Sequence, residues 1–180
     1  MARFASAPLV DLLRLYRQFV FTWWVGNGDL HLKNLALLRD ADGRWRLSPT
    51  YDQLNTRLVL PDDPLAMPIC GKKDNLKPGA WRELAERFGI GAKAAARVHA
   101  DLRLVGHDAV ELVNACPLPE TMRKAYVELL VARAPQRGRH RADQAAQVGQ
   151  RAQHRRCRTR RILQREQDAR KRRMHRSRHE

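Results

Sequence analysis

Nine residues close to the start of the chain carry side chains whose types and spacing could do chemistry. Residues 26–34 read G-N-G-D-L-H-L-K-N and supply a carboxylate (Asp29), an imidazole (His31), an ammonium (Lys33) and a carboxamide (Asn34). Phosphoryl-transfer enzymes use a carboxylate that accepts a hydroxyl proton, followed five residues later by an amide that can ligate Mg²⁺. We therefore predict that this segment is a catalytic loop between a helix and a strand.

A second acid, Asp52, follows Asn34 by 18 residues. The segments 35–39 and 44–47 flank the sequence D-A-D-G, and an aspartate–glycine turn between two short apolar runs predicts a β-hairpin. One hairpin is short enough to return the chain to the loop, so Asn34 and Asp52 are predicted to lie together. Both offer the oxygen ligands that Mg²⁺ prefers.

Hydrophobic periodicity sets the elements that must position these side chains. A buried amphipathic helix leads into the loop, and three further helices form a packed base after a strand and a turn. The predicted bounds are 8–24 for the first helix, 54–60 for the strand, 61–64 for the turn, and 78–88, 92–115 and 117–134 for the other helices. This pattern predicts an α+β fold that is predominantly helical, with a small antiparallel hairpin at the site.

The positive charge of the chain is concentrated at its carboxyl end. The formal charge is +16, yet residues 1–135 hold 19 basic and 15 acidic residues, against 16 and 4 in residues 136–180. The second segment has fifteen arginines, one lysine and no aromatic residue, so we expect a separate, disordered tail. A high pI therefore does not make the whole chain a nucleic-acid-binding protein.

Two interpretations of segment 136–180 are open. It could be a basic arm that binds phosphates of RNA or DNA. It could also be the product of a shifted reading frame in GC-rich DNA, which the abrupt loss of aromatic residues favours. Under either interpretation the segment should bind polyanions non-specifically.

The remaining composition predicts a soluble cytoplasmic protein. Three well-separated cysteines, Cys70, Cys116 and Cys157, form no C-x-x-C pair, which fits a reducing compartment. No apolar run approaches the roughly 18 residues that span a bilayer, and the first eight residues do not resemble a signal peptide.

Three motifs together resemble the C-terminal lobe of the HipA-like protein kinases. They are G-N-G-D-L-H-L-K-N at 26–34, L-S-P-T-Y-D-Q-L at 47–54 and G-K-K-D-N-L at 71–76, and the resemblance covers roughly residues 9–133. The aminoglycoside and choline phosphotransferases, with their H-G-D-x-H-x-x-N loop, are a broader resemblance. Asn27 stands where that group has its first histidine, which favours the HipA-like family.

The resemblance implies a bacterial serine/threonine kinase with a protein-kinase-like large lobe. Asp29 would be the catalytic base or would position the acceptor hydroxyl, and Asn34 and Asp52 would hold Mg²⁺ against the phosphates of ATP. Lys33 would steady the transferring phosphoryl group, and His31 would orient the loop. Members are usually toxins of toxin–antitoxin pairs, with a DNA-binding antitoxin as partner and an aminoacyl-tRNA synthetase as a type of target.

The small lobe of a kinase is missing from this sequence. No G-x-G-x-x-G loop occurs, and only about 25 residues precede the predicted catalytic loop. We therefore expect a catalytic-lobe fragment, truncated at its amino terminus and inactive alone. The alternatives are a non-enzymatic remnant of such a kinase, or a nucleic-acid-binding module that uses the arginine-rich tail.

Overall fold

Five α-helices and one two-stranded sheet make up residues 3–134, the part of the chain that this computed structural model describes. The helices are α1 (Pro8–Val25), α2 (Pro78–Arg87), α3 (Ala92–Leu104), α4 (Gly106–Ala115) and α5 (Glu120–Ala132), and the strands are β1 (Leu37–Arg39) and β2 (Trp45–Leu47). The fold is α+β and predominantly helical, as predicted. The predicted tail at 136–180 lies outside the described residues.

Helix α1 is the central element of the core. Pro8 occupies its first turn, where the backbone amides have no intrahelical partner. Tyr16, Val20 and Trp24 are all but fully buried. The Trp24 indole N–H donates to the carbonyl oxygen of Leu130 on α5 at 3.0 Å, so the first and last helices are joined directly.

A polar pair lies inside the contact between α1 and α3. The Tyr16 hydroxyl and His99 Nε2 share a hydrogen bond of 2.9 Å, and the Trp81 ring of α2 stands edge-on to both. Burial raises the pKa of Tyr16 to about 12. Burial, together with the nearby positive charge of Arg103, lowers the pKa of His99 to about 4. Both groups are therefore neutral near pH 7 and can be buried at little electrostatic cost.

The predicted hairpin is confirmed. Strands β1 and β2 pair antiparallel, with Leu37 opposite Leu47 and Arg39 opposite Trp45. Gly43 adopts a φ of 76° in the turn, a conformation that suits glycine. Asp40 Oδ1 accepts hydrogen bonds from the amides of Asp42 and Arg44, at 3.0 and 2.9 Å, which closes the turn.

A buried ion pair fastens the hairpin to α1. Asp11, in the first turn of the helix, is completely buried. Arg46 of β2 donates from Nε to both of its carboxylate oxygens, at 3.1 and 3.3 Å. Arg14 Nη1, on a half-exposed side chain, lies 3.6 Å from the same carboxylate. The hairpin that follows the segment 26–34 is therefore held to the helix that precedes that segment.

The prediction of a strand at 54–60 is wrong. The chain forms a short 3₁₀ turn, Thr56–Leu58, because Asn55 Oδ1 accepts the amide of Leu58 and caps it. Leu54, Val59 and Leu60 remain exposed. The apolar run therefore does not reflect burial in a sheet.

The single helix predicted at 92–115 is also wrong, because the chain breaks at Val105 into α3 and α4. Gly106, which directly follows, costs about 1 kcal/mol in a helix interior relative to alanine. Val98 and Leu102 are buried as expected, whereas Val105 and Leu112 are exposed.

The last helix begins later than predicted, at Glu120 rather than residue 117, because Pro119 occupies its N-cap. Its most buried residue is Leu130. Among the described residues, no helix is both long and apolar enough to cross a membrane.

Candidate active site

The loop at 26–34 leaves α1 through Gly26, which has a left-handed φ of 78°. Two residues on, Gly28 has no room for a side chain. An added Cβ would overlap the carboxylate of Asp63 and would lie 2.9 Å from the carbonyl oxygen of Pro64. The second glycine of the motif is therefore required by the close approach of a neighbouring segment, whereas the first is required by its backbone angle.

The segment 56–66 braces this second glycine on both sides. The Gly28 amide donates to Thr56 Oγ1 at 2.8 Å, and the Thr56 hydroxyl donates in turn to Asp63 Oδ2. The Gly28 carbonyl accepts from the amide of Ala66 at 2.7 Å. The peptide groups next to Asp29 are consequently fixed by hydrogen bonds to another part of the chain.

Asn27 joins the two halves of the predicted site. Its side chain is 1 % exposed; Oδ1 accepts the amide of Asp29 at 2.8 Å, and Nδ2 donates to the carbonyl oxygen of Asp52 at 3.2 Å. Asn27 therefore braces the loop through backbone groups. One buried amide thus sets the distance between the backbones of the two acids.

The two predicted metal ligands meet in the structure. Asn34 Nδ2 donates to Asp52 Oδ2 at 2.7 Å, while Asn34 Oδ1 accepts the amide of His31 at 3.0 Å. Asn34 is 5 % exposed, whereas Asp52 is open to solvent. Asp52 has a φ of 55°, a conformation that few residues other than glycine, asparagine and aspartate adopt readily.

The donor set around Asn34 and Asp52 fits a hard divalent cation. The amide oxygen of Asn34 keeps one lone pair after accepting the His31 amide, and the Asp52 carboxylate has lone pairs beyond the one that faces Asn34. Mg²⁺ takes few protein oxygens and keeps several waters, so a buried amide beside an exposed carboxylate suits it.

The remaining predicted site residues differ in their surroundings. Asp29 is exposed at the loop surface, and no hydrogen bond joins its carboxylate to another described residue. Lys33 is also exposed, and its carbonyl accepts the hydroxyl of Tyr51 at 2.9 Å. His31 is half-buried, and its Nδ1 is buried with no partner among the described residues. The hydrogen bond that His31 makes within the loop comes from its backbone amide, which donates to Asn34 Oδ1, and not from its ring.

Sequence reasoning missed the residues that support the loop from outside. Thr56 and Asp63 lie in the stretch that was predicted to be a strand and a turn, and nothing in their local sequence marks a contact with Gly28. Gln53 was noted only as part of a motif, yet its Oε1 accepts the hydroxyl of Thr22 on α1 at 2.8 Å. Such long-range contacts leave no periodic signal in the sequence.

The chain is similar in sequence to known proteins. The HipA-like C-terminal domain model matches residues 1–109. A Sinorhizobium fredii protein named "Putative kinase Y4mE" is 34% identical over 96 residues, 51% of this chain and 22% of that protein. A second protein from that organism, "Putative kinase Y4dM", is 44% identical over 46 residues, 26% of this chain and 11% of that protein.

One solved structure shares the fold. The HipA chain of a Shewanella oneidensis complex of HipA, HipB and operator DNA superposes with a TM-score of 0.63 at 20% identity. The match covers 74% of this chain and 33% of that one. This chain therefore spans a third or less of the length of each of these three proteins. Because the family model covers more than half of its residues, the chain belongs to the HipA-like C-terminal domain family.

Proposed function

We propose that residues 3–134 act as the C-terminal catalytic lobe of a serine/threonine protein kinase that transfers the γ-phosphate of ATP to a protein hydroxyl. The observation that carries the proposal is the 2.7 Å contact between Asn34 and Asp52. Two hard-cation ligands from separate segments meet there, next to the loop that presents the exposed carboxylate of Asp29.

In this proposal each polar side chain has a distinct task. Asp29 accepts the hydrogen bond of the incoming hydroxyl, aligns its oxygen with the phosphorus and takes up its proton. Asn27 holds the backbone of Asp29 and so fixes the direction of that carboxylate. Asn34 and Asp52 hold Mg²⁺, and Lys33 offers a point charge to the phosphoryl oxygens. A magnesium ion held by these residues would supply positive charge to offset the negative charge that develops during transfer.

The partners of the whole protein follow from the same family relationship. The Shewanella structure contains HipB and operator DNA together with HipA. We propose that a DNA-binding antitoxin is a partner here also, and that the protein substrate is of the aminoacyl-tRNA synthetase type. The basic segment 136–180, which is not among the described residues, stays a predicted polyanion-binding tail.

Metal binding by the full chain tests the proposal. Mn²⁺, a paramagnetic substitute for Mg²⁺, should bind one site. Asp52→Asn should weaken that binding by about 100-fold or more, because losing a charged direct ligand costs at least as much as the roughly 10- to 100-fold typical of losing an outer-shell partner. Asparagine tolerates the left-handed backbone at this position, so the variant should fold normally. Electron paramagnetic resonance reports free Mn²⁺ directly.

Asp62→Asn is the matched control, because Asp62 is an exposed turn acid of equal charge in the following segment. It should bind Mn²⁺ like the unmodified chain. Equal affinity in the Asp52 and Asp62 variants would remove the metal site from the proposal.

A second expectation concerns the chain alone. No G-x-G-x-x-G loop is present in the sequence to cover the phosphates. We therefore expect no appreciable ATP turnover from the purified full chain with Mg²⁺, as measured by release of labelled phosphate. Turnover that disappears in Asp52→Ala would overturn this expectation.

A further inference from the structure

A single carboxylate on the third motif lies between two largely buried arginines. Asp74 Oδ1 is 3.1 Å from Arg57 Nη2 and 3.7 Å from Arg133 Nη2. Each arginine side chain is only 12 % exposed, whereas that of Asp74 is 52 % exposed. We call Arg57, Asp74 and Arg133 the arginine clamp.

Both arginines of the clamp reach the start of the catalytic loop. Arg133 Nη1 donates to the carbonyl oxygen of Trp23 at 3.0 Å, and its guanidinium lies 3.8 Å above the Trp23 ring. The backbone amide of Arg57 donates to the carbonyl oxygen of Gly26 at 3.4 Å. The clamp and residues 23–26 therefore form a closed ring of contacts at the point where α1 ends and the loop begins.

The charges of the clamp explain why its carboxylate matters. Burial and the charge of Arg57 lower the pKa of Arg133 to about 10, which leaves it protonated at neutral pH. Burial works to raise the pKa of Asp74, but the Asn75 amide and the two guanidiniums hold it below its usual range. Without that negative charge, two poorly hydrated cations would repel each other beside Gly26.

We propose that Arg57, Asp74 and Arg133 are positioning residues. They hold the junction between α1 and the loop, at Trp23–Gly26, so that Asp29 and the Asn34–Asp52 pair keep their geometry. The inference rests on the proposed function, because it assigns the clamp a task at that site. It also gives the G-K-K-D-N-L motif a role, since Asp74 belongs to it.

Hydrogen exchange and Mn²⁺ binding, measured on the full chain, test the clamp together. In Asp74→Asn, amides of residues 26–34 should exchange roughly tenfold faster, since local opening governs exchange. Mn²⁺ should bind about tenfold more weakly, the usual cost of losing an outer-shell support. Asp74→Glu should restore both, and Arg133→Lys should fail like Asp74→Asn, because one ammonium cannot reach both Trp23 and Asp74.

Asp101→Asn is the matched control. Asp101 also lies between two arginines, Arg17 and Arg97, each at 2.8 Å, but on α3 and away from the loop. This variant should leave exchange in residues 26–34 unchanged.

Three outcomes decide the proposal. If Asp74→Asn and Arg133→Lys exchange in the loop like the unmodified chain, the clamp does not position it. If Asp74→Asn speeds amide exchange in α2 as much as in the loop, the clamp stabilises the fold as a whole and not the loop in particular, which also overturns the proposal. If the unmodified chain binds no Mn²⁺ but loop exchange still depends on Asp74, the clamp stands and the proposed catalytic function fails.

Discussion

Asp29→Asn should lower phosphoryl transfer about 1,000-fold, the middle of the range for loss of a general base. Asparagine keeps the size of the side chain and leaves the Asp29 amide bound to Asn27. It removes only the carboxylate that, in the proposed function, orients the acceptor hydroxyl and takes its proton. Because Asp29 is not one of the proposed metal ligands, Mn²⁺ affinity should be unchanged.

This effect is measurable once a nucleotide-binding lobe is present. We suggest a hybrid in which the part of this chain that aligns with Y4mE replaces the 96-residue segment that it matches in that protein. Transfer from labelled ATP to a protein acceptor would then be compared between Asp29→Asn and Asp42→Asn, which changes an exposed acid in the hairpin turn.

Two results would contradict the proposal. Transfer by the Asp29 variant within about tenfold of the unmodified hybrid would exclude Asp29 as the base. A hybrid that folds and binds ATP, but transfers no phosphate, would exclude the catalytic-lobe function itself.

Arg46→Met should destabilise the fold by about 3 kcal/mol, because removal of one partner leaves the buried charge of Asp11 unpaired. Asp11 is completely buried, and Arg46 donates a hydrogen bond to each of its two carboxylate oxygens. The loss should fall at the low end of the 3–5 kcal/mol range typical of such changes, because Arg14 remains 3.6 Å away. Urea unfolding of the full chain gives the free energy of unfolding.

Arg44→Met is the control for this prediction. Arg44 pairs with Asp42 on the same hairpin, but both side chains are more than half exposed. Loss of such a pair should cost less than about 1 kcal/mol. The double variant Asp11→Asn with Arg46→Met should recover part of the stability, because no buried charge is left. Equal stability of Arg44→Met and Arg46→Met would show that burial of Asp11 carries no penalty.

The polar core of the site was predictable because its signals are local. Asn34 and Asp52 were predicted to lie together because one hairpin separates them, and they do. The turn of this hairpin is recognisable from four consecutive residues, D-A-D-G. Helix α1 was placed within one residue at its end, since a long amphipathic period is a strong signal.

The surroundings of the site were not predictable, because they depend on contacts between distant segments. The run at 54–60 has β-forming residues, but no strand within residues 3–134 pairs with it, and the Asn55 cap bends it into a turn. The partners of Gly28 lie 28 residues or more further along the chain. Periodicity likewise continued through Gly106, where a small local preference ends one helix and begins another.

The bond from Trp24 to Leu130 has a consequence for the order of folding during synthesis. Helix α1 is translated before α5, yet the Trp24 indole N–H and the Trp23 carbonyl in its last turn find their partners more than 100 residues later in the chain. At typical elongation rates, the ribosome needs roughly 5 to 20 seconds to make that stretch. Helices α2 and α3 can pack on α1 before then, but the carboxyl end of α1, at Trp23 and Trp24, stays without its final partners until α5 has been made.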